Sequence, residues 1–446
     1  MPRPPAATMP DMGLALDMAY AVGALALSPV LAYRLVRTGK WRTDWPARFG
    51  RCRVRSPHAS ATTTLLIHAV SVGEVNAIRG LVSQLVARGG ESLRIVVSAT
   101  TDTGFERARR LFQQPVEVVR FPFDFSTCVE RFIDAVKPDV VALVELEVWP
   151  NFIQCCTRHR IPVGIINGRL SARSFRGYRA IRPLIAPTFR RLAFAGVQNR
   201  DYADRFIALG ANPRHVTVMD SMKWDNARIE NRAEVAAGSA LAQAMGIDPG
   251  RPLIVAGSTG PGEERWLMDT CPQESQLLIA PRKPERFDEV AALAPGIIRR
   301  TEHPDGSGRP VDTGTRLFLL DSIGELRDAY ALADVAIVGR SFLGMHGSDP
   351  LDPISLGVPT LIGPCHEDFA ELVAALAEAE GIVVTDEPGP EAARLLAEVD
   401  RGERLAENGR RVITRKHGAT RRHADLLWNH LSSIHASSSP LVVSTL

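Results

Sequence analysis

Glu74 is the residue in this chain whose position most favours chemistry. It follows the apolar run TTLLIHAV and a glycine, at the start of SVGEVNAIRGLVSQLVAR, whose apolar residues recur at helical spacing. A side chain at a strand-to-helix junction of an α/β sheet faces the ligand crevice. A carboxylate there can take a proton from a hydroxyl as its oxygen attacks a carbon. Pattern alone favours the simpler reading, an acid that caps the helix.

Two more acids, Glu145 and Glu147, end the apolar run VVALVELE just before Trp149 and Pro150. If the strand continues to this point, alternation sends both acids to the same face. The pattern leaves open whether Glu145 supports a nearby reaction. An acid at the end of a strand that only accepts hydrogen bonds from backbone amides explains the pattern about equally well.

Basic residues are concentrated in the segment SARSFRGYRAIRP. Arg173, Arg176, Arg179 and Arg182 recur every three residues, which on one helix makes a basic ridge. Together with Arg169, this ridge predicts a surface for phosphates or anionic lipids, because the guanidinium fork suits phosphate. A solvated helix face is the competing interpretation.

The second half of the chain offers candidates for binding a nucleotide. Arg282 and Lys283 come just after the apolar run QLLIAP, where a strand end would place them near a phosphate. The loop GSTGPGEE, which contains Ser258 and Thr259, precedes a helix whose free amides can hold an anion. Such a loop is by itself weak evidence for a nucleotide-binding site.

The elements that position these residues follow an α/β pattern. From Thr63 onward, short β-rich runs alternate with amphipathic helices. The pattern weakens between Met222 and Gly250 and then resumes, and 446 residues suit two domains. We predict two Rossmann-like domains with mostly parallel sheets that face a central cleft, at residues 46–225 and 226–430, followed by a flexible tail at 431–446.

The N-terminus predicts attachment to a membrane. The stretch from Ala19 to Tyr33 is uncharged, and eight Arg and Lys residues follow it within residues 34–55. The uncharged stretch is shorter than the roughly 20 residues of a comfortable span, so a tilted span and a half-inserted anchor both stay open, with a buried core helix as runner-up. Residues 1–45 are therefore predicted as a membrane-anchor helix and basic connector. The basic bias holds the segment that follows it on the cytoplasmic side of the membrane.

Composition narrows the class of protein. The net charge of +3 does not call for nucleic acid as a partner. Six cysteines without a C-x-x-C pair fit a reducing cytoplasm. We identify no D-x-D motif and no His, Cys and Asp cluster with metal-ligand spacing, so we expect no metal and no cofactor. The sequence does not reveal the oligomeric state.

Eight segments, in this order, carry a family resemblance: HAVSVGE, ATTDTGFERA, ELEVWPN, NGRLSARSF, DSMKWD, GSTGPGEE, APRKPERF and DSIGEL. Together they resemble the signature of the Kdo (3-deoxy-D-manno-octulosonic acid) transferases over nearly the whole chain. The resemblance implies a GT-B fold. It also implies an inverting glycosyltransferase that moves Kdo from CMP-Kdo to a lipid A precursor, lipid IVA, in lipopolysaccharide biosynthesis.

The resemblance also implies roles for single residues. Glu74 becomes the general base and Glu145 its support or a positioner of the acceptor. Acceptor binding falls to Ser71, Gly73, Arg169, Arg173 and Arg176. The residues that it implies for donor binding are Ser258, Thr259, Arg282, Lys283, Ile323, Gly324, Glu325, Asp349 and Asp352.

The donor half departs from the family pattern. Where the family has Gly-Gly-His-Asn-Pro-Leu-Glu, this chain reads HGSDPLD, so Asp349 and Asp352 stand for Asn and Glu. Asp has no amide donor, and its side chain is about one methylene shorter than that of Glu. Gly260 and Pro261 replace His-Glu, and Lys283 replaces a His. These changes are compatible with an altered nucleotide grip, an altered sugar or a weakened activity.

Two other functions remain as alternatives. The first is a GT-B enzyme that uses another nucleotide sugar on a lipid or cell-wall acceptor, which competition between donors would distinguish. The second is a non-catalytic lipid-binding protein at the membrane surface, suggested by the arginine ridge. Retained CMP binding would weigh against that second alternative.

Overall fold

The chain folds into two compact units. The structure, a computed structural model, describes residues 16–18, 20–22, 43–54, 63–302 and 314–438. The first unit runs to Lys223 and takes up the chain again from Gly418, and the second unit is Trp224–His417. The predicted boundary near residue 225 lies within two residues of this division.

The first unit is built on a seven-stranded sheet in the order β3-β2-β1-β4-β5-β6-β7, with parallel neighbours throughout. Its strands are β1 (Thr63–His68), β2 (Leu93–Ala99), β3 (Glu117–Arg120), β4 (Val140–Val144), β5 (Val163–Gly168), β6 (Phe194–Val197) and β7 (Val216–Val218). Strands β1, β2, β4 and β5 are buried along their whole length, as expected for a parallel sheet covered on both faces.

Helices connect these strands. They are α1 (Trp45–Arg48), α2 (Val72–Ala77), α3 (Arg79–Gly89), α4 (Asp102–Leu111), α5 (Ser126–Val136), α6 (Pro150–Arg158), α7 (Ala172–Ala180), α8 (Arg182–Arg190) and α9 (Arg200–Leu209). Side chains of Ser71, Thr101 and Asn199 accept hydrogen bonds from the first-turn amides of α2, α4 and α9. The single helix predicted from Ser71 onward is two helices, because the chain leaves helical geometry at Ile78.

The second unit contains another seven-stranded parallel sheet, in the order β10-β11-β9-β8-β12-β13-β14. Its strands are β8 (Leu253–Thr259), β9 (Gln276–Pro281), β10 (Ile298–Arg299), β11 (Leu317–Leu319), β12 (Val335–Val338), β13 (Thr360–Ile362) and β14 (Val383–Val384). Its helices are α10 (Arg232–Gly238), α11 (Leu241–Met245), α12 (Glu263–Thr270), α13 (Phe287–Ala291), α14 (Leu326–Leu332), α15 (Leu351–Ser355), α16 (Ala370–Glu378), α17 (Pro388–Ala397) and α18 (Val399–Lys416). The predicted pair of parallel-sheet α/β domains is confirmed.

The last helix, α19 (Ala419–Ser438), belongs to the first unit. Its Ala424, Leu427 and Leu431 are buried in the core cluster that covers one face of the first sheet. The prediction assigned residues up to 430 to the second domain and residues 431–446 to a tail. That assignment is wrong for 418–438, because this helix buries its apolar stripe against the first sheet rather than the second.

The predicted membrane anchor falls mostly outside the described residues. Of the stretch from Ala19 to Tyr33, the structure describes only residues 20–22, which are helical. Within the described parts of the chain, every helix is too short or too polar to cross a bilayer.

Candidate active site

The strongest candidate site lies where the strand order of the first sheet reverses. Strands β1 and β4 are neighbours, paired from Leu65 with Val140 to His68 with Leu143, although two strands and their helices separate them in sequence. Ligands of such sheets bind beyond the carboxyl ends of the strands at this reversal. Glu74 follows β1 and Glu145 follows β4, so the two predicted acids flank it.

Glu74 is fixed at the N-terminus of α2 by its own neighbours. Its Oε2 accepts a 2.8 Å hydrogen bond from the amide of Val70, and its Oε1 accepts one of 2.9 Å from Ser71 Oγ. The Ser71 oxygen in turn accepts a 3.4 Å bond from the Glu74 amide. This reciprocal arrangement is close to a capping box. The predicted capping role is therefore real, and it holds the carboxylate in a single orientation.

Gly73 leaves space beside this carboxylate. It is exposed, and a Cβ at this position would meet only Ser71 Oγ, at 3.8 Å. Neighbouring Val72 is also exposed, while the Glu74 side chain is mostly buried. A ligand can therefore approach the first turn of α2 from the side of Gly73.

Three carboxylates interact at this point. Burial and, less strongly, the negative charge of Glu145 together raise the pKa of Glu74 to about 7, against hydrogen bonds from Val70 and Ser71 that lower it. Burial and the charge of Glu74 likewise raise the pKa of Glu147 to about 7. A carboxylate with a pKa near 7 is well matched to accept a proton at neutral pH.

Glu145 and Glu147 occupy a loop rather than a strand. Strand β4 ends at Val144, and Glu145 has a left-handed φ of 57° while its amide donates to the Ile166 carbonyl at 3.0 Å. Strand alternation, on which the prediction relied, therefore does not apply here. Glu147 was not among the predicted site residues. Its carboxylate accepts a 2.9 Å hydrogen bond from Trp149 Nε1 and lies close enough to Glu74 for their charges to interact.

His68 begins the HAVSVGE segment but serves the core. It is fully buried, its ring stacks on Phe121 with centroids 3.7 Å apart, and its Nδ1 lies 3.0 Å from Ser98 Oγ. Burial lowers its pKa to about 3, so the ring is neutral at physiological pH. It supports the end of β1, from which Glu74 is positioned.

The arginine ridge is shorter than predicted. Arg173 and Arg176 are exposed on α7, but α7 ends at Ala180 and Arg182 opens α8, because Pro183 starts a new helix. The Arg182 side chain donates to the Ala208 carbonyl at 2.8 Å. It is therefore wrong to count Arg182 as part of one continuous ridge.

Helix α7 nevertheless lies close to the carboxylates. Burial and the charge of Glu147 both raise the pKa of Tyr178, which is on this helix. Arg169, half-buried, directly follows β5. The first unit thus brings Ser71, Gly73, Glu74, Glu145 and Arg169 to the carboxyl edge of one sheet, with the exposed Arg173 and Arg176 on the helix that also carries Tyr178.

The predicted donor residues gather at the corresponding edge of the second sheet. Strands β11, β9, β8 and β12 are consecutive neighbours, and the loops at their carboxyl ends carry these residues. Arg282 and Lys283 are exposed directly after β9. Ile323 is 74% exposed, and Gly324 has a φ of 103° with open space around it.

The glycine-rich loop after β8 is already occupied by a carboxylate of the chain itself. Fully buried Glu263 accepts hydrogen bonds from the amides of Gly260 at 2.9 Å, Arg340 at 2.6 Å and Phe342 at 3.1 Å. Thr259 is buried and its hydroxyl donates to Glu264 at 2.9 Å. The expectation that this loop offers free amides is therefore wrong for Gly260. Ser258, with a left-handed φ of 56°, stays partly exposed.

The acids predicted to bind the donor have partners within the second unit. Arg300 and Ser322 donate to the Glu325 carboxylate. Asp349 accepts a 3.0 Å bond from the Leu351 amide and so caps α15. Asp352 forms an ion pair of 3.2 Å with Arg327. These two aspartates stand where the family pattern departs, and both remain exposed to solvent.

Comparison with known proteins identifies the family of the chain. Residues 43–226 match the family model for 3-deoxy-D-manno-octulosonic-acid transferase (kdotransferase). The 3-deoxy-D-manno-octulosonic acid transferase of Bordetella pertussis is 32% identical, covering 92% of this chain and 98% of the relative. The protein of the same name from Haemophilus influenzae is 31% identical, covering 82% and 87%.

Solved structures support the fold. A UDP-GlcNAc 2-epimerase from Neisseria meningitidis has a TM-score of 0.52 at 13% identity, covering 82% of this chain and all of its own. MurG from Acinetobacter baumannii has a TM-score of 0.50 at 16% identity, covering 82% of this chain and 99% of its own. These likenesses, to GT-B-like proteins, concern the fold alone. From its sequence relatives, the chain belongs to the 3-deoxy-D-manno-octulosonic acid (Kdo) transferase family of glycosyltransferases.

Proposed function

We propose that this protein is an inverting glycosyltransferase that moves Kdo from CMP-Kdo to a lipid A precursor, lipid IVA, with Glu74 as the general base. Glu74 takes the proton of a sugar hydroxyl while that oxygen bonds to the anomeric carbon of Kdo. The bond from this carbon to the phosphate of CMP breaks, and CMP leaves from the opposite face. The reaction requires no oxidant or reductant.

One observation carries the proposal: Glu74 is a buried carboxylate with a pKa of about 7, held at the reversal point of a parallel sheet. At neutral pH such a group is ionised in a large fraction of molecules and still basic enough to accept a proton. The charge of Glu145 contributes to this pKa. Base catalysis of this kind needs no metal ion or cofactor at the reacting atoms.

The acceptor is a phosphate-bearing lipid in this proposal. Arg173 and Arg176 are exposed on α7, and Tyr178 on the same helix is close enough to Glu147 to feel its charge. Exposed guanidinium groups on a helix that approaches Glu147 suit the phosphates of such a lipid. On the donor side, Arg282 and Lys283 are exposed and available to bind the phosphate of CMP. Ile323 is exposed and available for an apolar contact with the cytosine ring of CMP.

Location at the cytoplasmic face of the inner membrane is part of the proposal. It rests on the sequence alone, namely the uncharged stretch from Ala19 to Tyr33 and the basic segment after it. A lipid acceptor in the same membrane would then lie close to the first unit.

The test is transfer of Kdo by the purified full chain, from CMP-Kdo to a tetra-acylated lipid A precursor, followed by CMP release and mass spectrometry of the lipid. Glu74→Gln should lower the rate by about 10²- to 10⁴-fold, the usual contribution of a positioned base. Glu106→Gln, at an exposed position on α4, is the matched control and should keep full activity. Wild-type transfer from a UDP-sugar but not from CMP-Kdo would overturn the donor assignment, and full activity of Glu74→Gln would overturn the base.

A further inference from the structure

Three side chains of types that commonly bind metals lie close together near the C-terminal end of α6. Cys155 lies in α6, His159 directly follows that helix one turn later, and Glu130 lies on the adjacent α5. Cys155 Sγ lies 3.2 Å from Glu130 Oε2, and His159 Nε2 lies 2.6 Å from Glu130 Oε1. One potential ligand atom from each residue can be chosen so that all three lie within 4.8 Å of one another.

We propose that Glu130, Cys155 and His159 bind a Zn²⁺ ion. Thiolate, imidazole and carboxylate are the ligands that Zn²⁺ takes in proteins, and three of them leave a fourth position for water. Cys155 and His159 are four residues apart, a spacing that puts both side chains on the same side of a helix. Our sequence expectation of no metal missed the site because Glu130 comes from a different helix.

The distances fit a tetrahedral site after a small movement. Zinc bonds of about 2.0 to 2.3 Å place ligand atoms roughly 3.4 to 3.6 Å apart in a tetrahedron. The separations of 3.2 and 2.6 Å join Cys155 and His159 to different oxygens of Glu130, and they have to open by less than about 1 Å. One ligand atom from each residue lies within 4.8 Å of the other two, so any wider separation has to close by less than about 1.5 Å. The side chains of Glu130 and His159 are 39% and 36% exposed, so both have room to move. Zn²⁺ would replace both shared protons: the Cys155 proton passes to solvent, and His159 binds through Nε2 as a neutral ring that carries its proton on Nδ1.

Two neighbouring features act on the proposed site: the C-terminal end of α6 favours a bound cation, whereas Arg158 orients one ligand and its positive charge acts against the cation. Arg158 donates a 2.9 Å hydrogen bond to Glu130 Oε2, which orients the carboxylate, and ligating carboxylates are commonly held in this way. The ligands sit at the C-terminal end of α6, where the helix dipole attracts positive charge. Trp149, beside the carboxylate cluster, precedes the opposite end of this nine-residue helix, about 14 Å away. The ion would therefore fasten α5 to α6 rather than take part in sugar transfer.

Cobalt and zinc titration of the metal-free full chain, prepared without a histidine tag, tests this proposal. Wild type should bind one Co²⁺ with the visible absorption of a tetrahedral site and a thiolate-to-cobalt charge-transfer band, and Zn²⁺ should displace the cobalt. Cys155→Ala should lose the band. Cys156→Ala is the matched control, because Cys156 is the next residue, is equally buried and is not a ligand. His159→Ala should weaken metal binding at least about 10- to 100-fold. That is the usual loss of metal affinity when a residue that only hydrogen-bonds to a metal ligand is replaced.

Several results would overturn the site. They are absence of stoichiometric binding by wild type, a cobalt spectrum without the thiolate band, or equal loss of the band in Cys155→Ala and Cys156→Ala. If Cys155→Ala does not fold, Glu130→Gln provides the same test, since it keeps the size of the side chain and removes the anionic ligand. Unchanged affinity in Glu130→Gln would count against the proposal.

Discussion

The Ser71 hydroxyl donates a hydrogen bond of 2.9 Å to the carboxylate of Glu74. This bond favours the ionised acid and opposes burial, which raises the pKa of Glu74 to about 7. Glu145 acts in the opposite sense to Ser71, because its negative charge raises the same pKa. Ser71 therefore lowers the pKa of Glu74 and Glu145 raises it, and each of these two side chains can be replaced separately.

The first prediction concerns Ser71→Ala. Loss of the hydrogen bond raises the pKa of Glu74, so the acid limb of the pH–rate profile should move to higher pH and the rate at pH 7 should fall. The profile of Kdo transfer measures this shift. Because Ser71 also caps α2, a loss of about 1 kcal/mol in stability is expected and is checked by thermal unfolding. Ser83→Ala, at an exposed position on α3, should leave the profile where it is in wild type.

The second prediction concerns Glu145→Gln, which removes a negative charge near Glu74. The pKa of Glu74 should fall, and the acid limb should move to lower pH, whatever happens to the maximal rate. The same pH–rate measurement tests it. Shifts in the same direction for Ser71→Ala and Glu145→Gln would rule out this electrostatic account.

The third prediction concerns the ion pair between Arg286 and Glu264 in the second unit. Glu264 is fully buried, and Arg286 bonds both of its oxygens, at 2.5 and 3.1 Å. Arg286→Met leaves a buried charge without its partner and should cost about 3 to 5 kcal/mol. Denaturant unfolding of the full chain measures the loss.

The double variant Arg286→Met with Glu264→Gln is the control for this pair. It removes the unpaired charge but keeps an acceptor for Thr259, so it should be more stable than the single variant. Equal destabilisation in the two variants would mean that the unpaired charge is not the cause.

The fourth prediction concerns Gly339, directly after β12. A Cβ at this position would lie 2.6 Å from Thr259 Cα and 2.9 Å from the Ser258 carbonyl oxygen, both backbone atoms. Gly339→Ala should therefore displace the end of β8, destabilise the unit by about 1 to 3 kcal/mol and raise the KM for CMP-Kdo. Donor-saturation kinetics and thermal unfolding measure the two effects. In Gly238→Ala the new Cβ meets nothing within 4 Å, so stability and KM should stay close to wild type.

Most strands were predictable because their sequences are continuous apolar runs. Strands β1 and β8 are examples, and both are buried over nearly their whole length. The strand β7 was not predicted, because it has three residues, two of them exposed, and so lacks a burial pattern. The break at Ile78 has no glycine or proline to mark it. Amphipathic spacing identifies the last helix but not the sheet against which it packs.

The candidate site was predictable only in part. A strand, a glycine and an acid at a helix start made Glu74 a candidate, and only the family resemblance carried by HAVSVGE implied the role of a base. The contribution of Glu147 was missed because it depends on how the loop after β4 folds. The hydrogen bonds that Glu263 accepts from the Arg340 and Phe342 amides depend on the approach of the loops after β8 and β12, which are separated by about 80 residues in sequence. No local sequence pattern predicts that two loops so far apart in the chain come into contact.

The return of α19 to the first unit sets an order for synthesis. His423 on this helix accepts a 2.9 Å hydrogen bond from the Asn167 amide at the end of β5, and Leu427 and Leu431 lie in the core. The ribosome makes these residues after the whole of Trp224–His417. Part of one sheet face of the nascent first unit therefore stays uncovered until α19 has been made, and by then every residue of the second unit has been made.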